Sequence, residues 1–376
     1  MNLKHAKVAL VYDRVNKWGG AERLLLALHE IFPSAPLFTS VYNPQTAPWA
    51  SSLDVHTSFL QKITFLRSHH ELFPFLMPFA FESFDFSQFD LVITVTSAEA
   101  KGVITKPGTL HVCFCLTPTR YLWVMDPLNS YHDFGILSPL AGIAKKLLLP
   151  LLRKWDLVAS TRPDAYLSIS NLVSRRLQKI YSRTSRVVYP PFNQDVVASN
   201  KSRSKSYFLC VTRLVGYKRI DLAISAANRL GIRLKIVGTG QKLTELKLQA
   251  GENVELLGFI TEKYLPQIYA EAKAVIIPGE EEFCLTALEA QANGVPVIAY
   301  ANSGVSEIII DDKTGIIFQK QDLDSLIQAI LKFSKMKFHA DDIRRNALRF
   351  SREKFKDNLL SSLNSIKKQY DKGFRL

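Results

Sequence analysis

The chain has 376 residues, 47% hydrophobic and 22% charged, which supports two or three domains with apolar cores of their own and excludes a disordered chain. Lys and Arg number 48 against 34 Asp and Glu, a net charge of +14 that favours an anionic partner: nucleic acid, acidic phospholipid or a phosphorylated small molecule. Cys113, Cys115, Cys210 and Cys284 form no CxxC pair and no zinc spacing with histidine, and read as reduced, mostly buried thiols of a cytosolic protein.

The first residues, MNLKHAKVAL, run into a strand pattern without the long apolar region of a signal peptide. Val8–Tyr12 is apolar throughout, as a strand buried on both faces is. Gly19-Gly20 then leads into Ala21–Ile31 at helical spacing. Leu72–Phe81 is apolar but short and broken by Pro74 and Pro78, so it does not cross a bilayer. Asp90–Thr96, Leu110–Phe114 and Ala165–Ile169 read as further buried strands. Gly135–Trp155 mixes an apolar run with Lys145, Lys146, Arg153 and Lys154. That pattern fits a segment lying on an anionic bilayer, and it also fits an internal helix pair with solvated lysines. Tyr189-Pro190-Pro191-Phe192 and the polar run Asn193–Ser206 read as an inter-domain linker.

The second half alternates in the same way. Tyr207–Val211, Leu234–Val237, Val254–Leu257, Ala274–Ile277 and Pro296–Tyr300 read as strands. Arg219–Leu230, Leu243–Gln249, Tyr264–Ala272 and Thr286–Asn293 read as helices between them. This α/β alternation implies two doubly wound, Rossmann-like domains, over 1–197 and 198–355, which bind ligands in a cleft at their strand carboxyl ends. Phe350–Leu376 is lysine-rich and helix-like.

Three loops carry residues suited to chemistry. After the strand that ends at Ile277 comes an acidic loop, then a helix from Leu285 or Thr286 that stops at Gly294. Its N-terminus offers free N–H groups and the positive dipole end to a phosphate, and carboxylates beside it can accept hydrogen bonds from sugar hydroxyls. Arg213 and Lys218, between a strand and a helix, can pair with two phosphates, one as a planar fork and one as a point charge. Val237-Gly238-Thr239-Gly240 lacks the third glycine of a dinucleotide fingerprint, because Leu243 stands there. Taken singly, each is also an ordinary loop.

Glu281 and Glu289 are separated by seven residues, with Phe283 between them and Gly294-Val295-Pro296-Val297 after them. Together with Asn302–Glu307 they resemble the paired-glutamate signature of the family-4 retaining glycosyltransferases of the GT-B fold. Arg213-Leu214 with Lys218 resembles that family's basic segment, and Trp18-Gly19-Gly20-Ala21-Glu22 its glycine-rich turn after the first strand. Phe84–Val103, His111–Trp123 and Val187–Phe192 are similar to O-antigen-type mannosyltransferases, and the likeness runs from about residue 7 to 335.

The resemblance implies roles. Glu281 reads the transferred sugar and Glu289 the nucleotide ribose, while Phe283 and the N–H groups near Cys284, Leu285 and Thr286 face the donor. Arg213 and Lys218 stabilise the leaving nucleoside diphosphate. Gly19, Gly20 and Gly238 let the backbone approach the donor, and Gly258-Phe259 lies beside the base. Arg120 binds an acceptor phosphate, and Tyr121 and Trp123 stack on a sugar. Two positions depart from the family: Cys284 where glycine is common, and Leu116 where a histidine near the reacting sugar is usual. His111, five residues earlier, is no evident substitute.

The implied reaction is metal-independent, retaining transfer of a hexose, with no cofactor. Mannose from GDP-mannose ranks first and UDP-glucose second. The acceptor is a saccharide or lipid-linked saccharide. The implied setting is the cytoplasm, peripheral on the cytoplasmic membrane face, with an anionic membrane surface as a further partner and no nucleic acid. A C-terminal helix over 356–376 is expected to return to the first domain. Leu116 keeps open a catalytically degenerate nucleotide-sugar-binding relative, and the fold keeps open a phosphorylase or epimerase.

Overall fold

The computed structural model describes residues 6–63, 65, 73–123, 139–192, 197 and 205–373, with only the backbone over 139–147. Most of the expected linker and the side chains of Lys145 and Lys146 lie outside the described residues. The chain divides into two compact units, Met1–Tyr189 with Lys356–Leu376, and Pro190–Phe355.

The first unit is built on β1 (Val8–Tyr12), β2 (Leu37–Thr39), β3 (Val55–Thr57), β4 (Leu91–Thr96), β5 (Leu110–Cys115), β6 (Ala165–Ser168) and β7 (Arg186–Val187). All pairings are parallel, in the order β3-β2-β1-β4-β5-β6-β7. The second unit holds β8 (Tyr207–Val211), β9 (Leu234–Val237), β10 (Val254–Gly258), β11 (Ala272–Ile277), β12 (Val297–Tyr300) and β13 (Gly315–Phe318). These are also parallel, in the order β10-β9-β8-β11-β12-β13. In each sheet the order reverses direction between two neighbours, β1 and β4 or β8 and β11. The loops leaving such a pair diverge, so a crevice opens at their carboxyl ends.

Central strands are apolar on both faces because helices cover both. Every residue of β1, β4 and β5 is buried. Helix α1 (Gly20–Ile31) turns Leu24, Leu25 and Leu28 inward. Helix α2 (Pro139–Ala159) packs Trp155 onto Gly102, where an added Cβ would lie 2.5 Å from the indole. The strands missed in the sequence, β2, β3, β7 and β13, are short, with four residues or fewer. In the second unit, α3 (Ile220–Leu230), α4 (Leu285–Ala292), α5 (Leu323–Ser334) and α6 (Ala340–Ala347) cover the sheet. The last helix, α7 (Arg352–Asp371), buries Leu359, Leu363 and Ile366. From Lys356 onward it groups with the first unit, where Gln369 accepts from Arg186 at 3.0 Å. Among the described residues no helix is long and apolar enough to cross a membrane.

A buried ion pair fixes the first unit near the end of β4. Lys101 Nζ donates to Asp156 Oδ1 at 2.5 Å, to Thr119 Oγ1 at 2.7 Å and to the Ala98 carbonyl at 2.6 Å. Asp156 also accepts from Thr119, Tyr181 and the Trp123 indole at 2.6, 2.6 and 2.7 Å. Burial opposes the Lys101 ammonium, but Asp156 outweighs it and holds its pKa above the usual lysine value. Lys101→Met leaves a buried carboxylate without its counter-ion and is expected to cost about 3–5 kcal/mol in urea unfolding. Adding Asp156→Leu should recover part of that loss; a single-variant loss below about 1 kcal/mol would show that the pair is dispensable.

Candidate active site

The strand-order reversal of the second unit brings two sequence motifs together. The loop after β8 carries Thr212 to Lys218, and the loop after β11 carries Pro278 to Cys284. Lys218, Glu281, Cys284, Thr212 and Pro278 line one pocket between them. Lys218 Nζ and Glu281 Oε1 meet there in a short ion pair, both largely buried. Burial works against the Lys218 ammonium, yet Glu281, with smaller contributions from Tyr217 and Cys284, raises its pKa above the ordinary value. Arg213 is exposed, and its guanidinium donates to the Tyr217 hydroxyl at 2.8 Å. The Lys218 ammonium lies 5.0 Å from that tyrosine's ring centroid.

Neighbouring loops fix Glu281 through its backbone. Its N–H donates to Ser303 Oγ at 3.1 Å, and its carbonyl accepts from Gly304 N–H at 2.7 Å. Sequence reading did not assign Ser303 to the site; its position in the Asn302–Glu307 turn was the available signal. Close backbone approach explains the glycines. A Cβ on Gly304 would fall 2.1 Å from the Glu282 carbonyl oxygen, and one on Gly279 2.6 Å from Lys218 Cα. Gly238, at φ +141°, passes so near Thr212 that a Cβ would overlap its carbonyl oxygen at 1.8 Å. Gly238 therefore serves loop-to-loop packing in this state.

Cys284 caps α4 with φ +91°, a conformation that favours glycine. Burial, followed by the Glu281 carboxylate, pushes its thiol pKa up, so it is a neutral thiol at pH 7. Leu285 and Thr286 are half-buried in the first turn, with Thr286 Oγ1 donating to the Val211 carbonyl at 3.3 Å. Phe283 turns into the core and packs on Phe350, ring centroids 5.8 Å apart. Glu289 is buried and accepts from the Tyr269 hydroxyl at 2.9 Å. The two glutamates thus have different surroundings: Glu281 lines the pocket, while Glu289 is held in the core. Gly258 takes φ +71° at the end of β10, and Phe259 projects into solvent, 75% exposed.

In the first unit, β1 and β4 form the corresponding switch. Asp13 accepts from Thr96 Oγ1, Ser97 N–H and Ala100 N–H at 2.7, 2.8 and 2.9 Å, tying the two strand ends together. Arg14 donates to Glu99 at 2.9 Å, and the Tyr121 hydroxyl donates to the same carboxylate at 2.6 Å. Burial raises the Glu99 pKa against the opposing pull of Arg14. Sequence reading missed this cluster, because Arg14 and Glu99 are 85 positions apart. Tyr121 and Trp123 have their polar edges bound internally, and Arg153 lies 5.2 Å from the Trp123 ring centroid. Arg120 is half-buried on the same turn, its N–H donating to the Ser97 carbonyl. Gly19 and Gly20 open α1, and the Glu22 carboxylate accepts from the Tyr12 hydroxyl at 2.5 Å. Leu116 sits just past β5, whereas His111 is near the strand's start. His111 is fully enclosed, and burial, with Arg162 adding, lowers its pKa to about 3. It cannot stand in for a histidine at Leu116.

Residues 192–350, which hold the whole Lys218–Glu281 site, match the family Glycosyl transferases group 1. The D-inositol 3-phosphate glycosyltransferase of Mycobacteroides abscessus is 29% identical over 55% of this chain and 51% of its own length. The GDP-mannose-dependent alpha-(1-6)-phosphatidylinositol monomannoside mannosyltransferase of Mycolicibacterium smegmatis is 32% identical over 32% of this chain and 37% of its own. The chain therefore spans about half, or less, of these relatives' lengths. Anabaena HepE, solved with UDP-glucose, superposes with a TM-score of 0.68 at 18% identity, covering 96% of this chain and all of that one. The chain has the GT-B fold, with two parallel sheets of seven and six strands.

Gly304→Ala is expected to destabilise the second unit by roughly 1–3 kcal/mol, because the new methyl meets backbone. Cys284→Gly relieves a left-handed residue and should raise stability by about 1 kcal/mol. Thermal unfolding reads both; a lowered melting temperature for Cys284→Gly would show that Cys284 is not strained, and an unchanged one for Gly304→Ala that Gly304 has room.

Proposed function

We propose that the chain is a retaining hexosyltransferase that uses a nucleoside diphosphate sugar. The observation that carries this is the Lys218–Glu281 pair in the pocket beside α4, inside the segment that matches the glycosyl transferases. Lys218 releases Glu281 on donor binding and pairs with the diphosphate, and Arg213 adds a second cation. Glu281, once released, accepts hydrogen bonds from the sugar hydroxyls. Glu289 contributes to the ribose subsite, at least by holding α4 in place through Tyr269.

In the proposed step, the bond from the sugar's anomeric carbon to the diphosphate oxygen breaks, and its electron pair leaves with the phosphate. The acceptor hydroxyl oxygen bonds to the same carbon on the same face, and its proton passes to the departing phosphate oxygen. The protein supplies positioning and charge stabilisation, which is the dominant contribution in such sites. Lys218 and Arg213 do the work that a divalent metal does elsewhere, so the reaction is metal-independent. GDP-mannose is the favoured donor, supported by the mannosyltransferase relative, and UDP-glucose is second, supported by the HepE complex. The acceptor is a saccharide or a lipid-linked saccharide bound by the first unit, with Arg120 toward its phosphate. Leu116 favours one rival, a relative that binds the donor without turning it over.

Release of nucleoside diphosphate from GDP-mannose and UDP-glucose, with saccharide and lipid-linked acceptors, tests the reading. Lys218→Gln and Glu281→Gln are each expected to lower kcat roughly 10²–10³-fold, and EDTA to change nothing. Full turnover by Glu281→Gln would overturn the assignment. Donor binding without turnover in every acceptor mixture would establish the rival.

A further inference from the structure

Helix α2 presents the wrong chemistry to water. Over its described side chains, Leu152, Asp156 and Ala159 are buried, and Pro150, Leu151, Lys154, Leu157 and Val158 form the exposed stripe. A helix packed on a sheet normally carries polar residues on that outer stripe. Here four of five are apolar, with 60%, 40% and 58% exposure for Leu151, Leu157 and Val158.

A second exposed apolar segment adjoins it. The Trp155 indole N–H donates to Glu82 Oε1 at 2.8 Å, which joins α2 to the short helix Met77–Glu82. Leu151 and Val158 flank Trp155 at helical i−4 and i+3, and Phe79 is one turn before Glu82, so the exposed apolar side chains of the two helices neighbour the residues that join them. Phe79 is 60% exposed, and Phe75, four residues earlier, 37%. The short helix is not loose: Met77 and Ala80 bury against Leu60 and Val41. The aromatic rings therefore project from an anchored support.

Charge identifies what covers this face. The described segments 59–63, 73–83 and 148–162 contain two carboxylates, Glu82 and Asp156, and both are turned inward onto Arg162 and Lys101. Arg153 is also turned inward, donating to the Leu122 carbonyl at 2.9 and 3.1 Å. Lys154 and Lys62 are exposed, on a chain of net charge +14. An apolar stripe whose exposed charges, within these described segments, are cations matches the boundary between acyl chains and anionic headgroups.

We infer that the face formed by Phe75, Phe79, Leu151, Leu157 and Val158, with Lys154, docks this protein on an anionic lipid surface. The apolar side chains enter the interface while Lys154 keeps its ammonium at headgroup level. This corrects the simpler sequence view in one respect: Arg153 belongs to the protein interior, and Phe75 and Phe79 share the docking face with α2. The inference is independent of the donor chemistry, because it lies in the first unit and is read without substrate.

Sedimentation of the full chain with phosphatidylcholine vesicles, with and without phosphatidylglycerol, tests it at low and high salt. Binding is expected only with phosphatidylglycerol, weakening as salt rises. Phe79→Glu with Leu151→Glu should reduce it roughly tenfold or more, and Lys154→Gln about fivefold. Leu248→Glu, at an exposed leucine of the second unit, should leave it unchanged. Unchanged vesicle binding by the double variant, with melting unchanged, overturns the inference. So does a wild-type dimer in sedimentation velocity that the double variant abolishes while vesicles bind neither protein, since the face would then pair with a second copy.

Discussion

Lys218 and Glu281 meet because β8 and β11 are neighbours in the sheet although 65 positions separate their starts, Tyr207 and Ala272; the loops that leave them carry one charge each into the same crevice. Putting two charges there is costly, since each loses most of its water, and each offsets the other's desolvation. The rest of the second unit serves this meeting. Gly279 lets the acidic loop lie against Lys218, Gly304 lets the next turn grip the Glu281 backbone, and Gly238 brings the third loop against Thr212. A methyl at any of the three would push backbone against backbone rather than displace a mobile side chain.

The same pairing explains how the site waits for a ligand under the proposed function. A lysine without its glutamate would be partly stripped of water and depressed in pKa; beside Glu281 it stays protonated and aimed into the pocket. A diphosphate carries more negative charge than one carboxylate, so it competes for the same ammonium. The exchange leaves Glu281 needing donors, which sugar hydroxyls supply. Sugar recognition and phosphate recognition are then coupled through one broken ion pair.

The fold was largely legible because long apolar strands alternate with helices, and buried parallel strands announce themselves by being apolar on both faces. Glu281 and Lys218 could be read from motif spacing, and the structure places them in contact. What spacing could not convey was orientation. Phe283 and Glu289 share the motif with Glu281, yet one packs on Phe350 and the other bonds to Tyr269. Tyr121 and Trp123 look like a sugar platform in sequence, but their polar atoms are committed to Glu99 and Asp156, partners 22 and 33 positions away. Such long-range pairs leave no local period. The Asp13 clamp and the Lys101–Asp156 pair were unreadable for the same reason.

The most direct test of the exchange is calorimetric binding of the nucleoside diphosphate alone, without its sugar, to the wild type and to Glu281→Gln. If Lys218 must leave Glu281 to reach the phosphate, neutralising Glu281 removes a competitor, and the sugar-free ligand should bind several-fold more tightly to the variant. Weaker binding by the variant would mean that Glu281 supports the diphosphate site in some other way, and the ion pair would not be the lock that the donor opens.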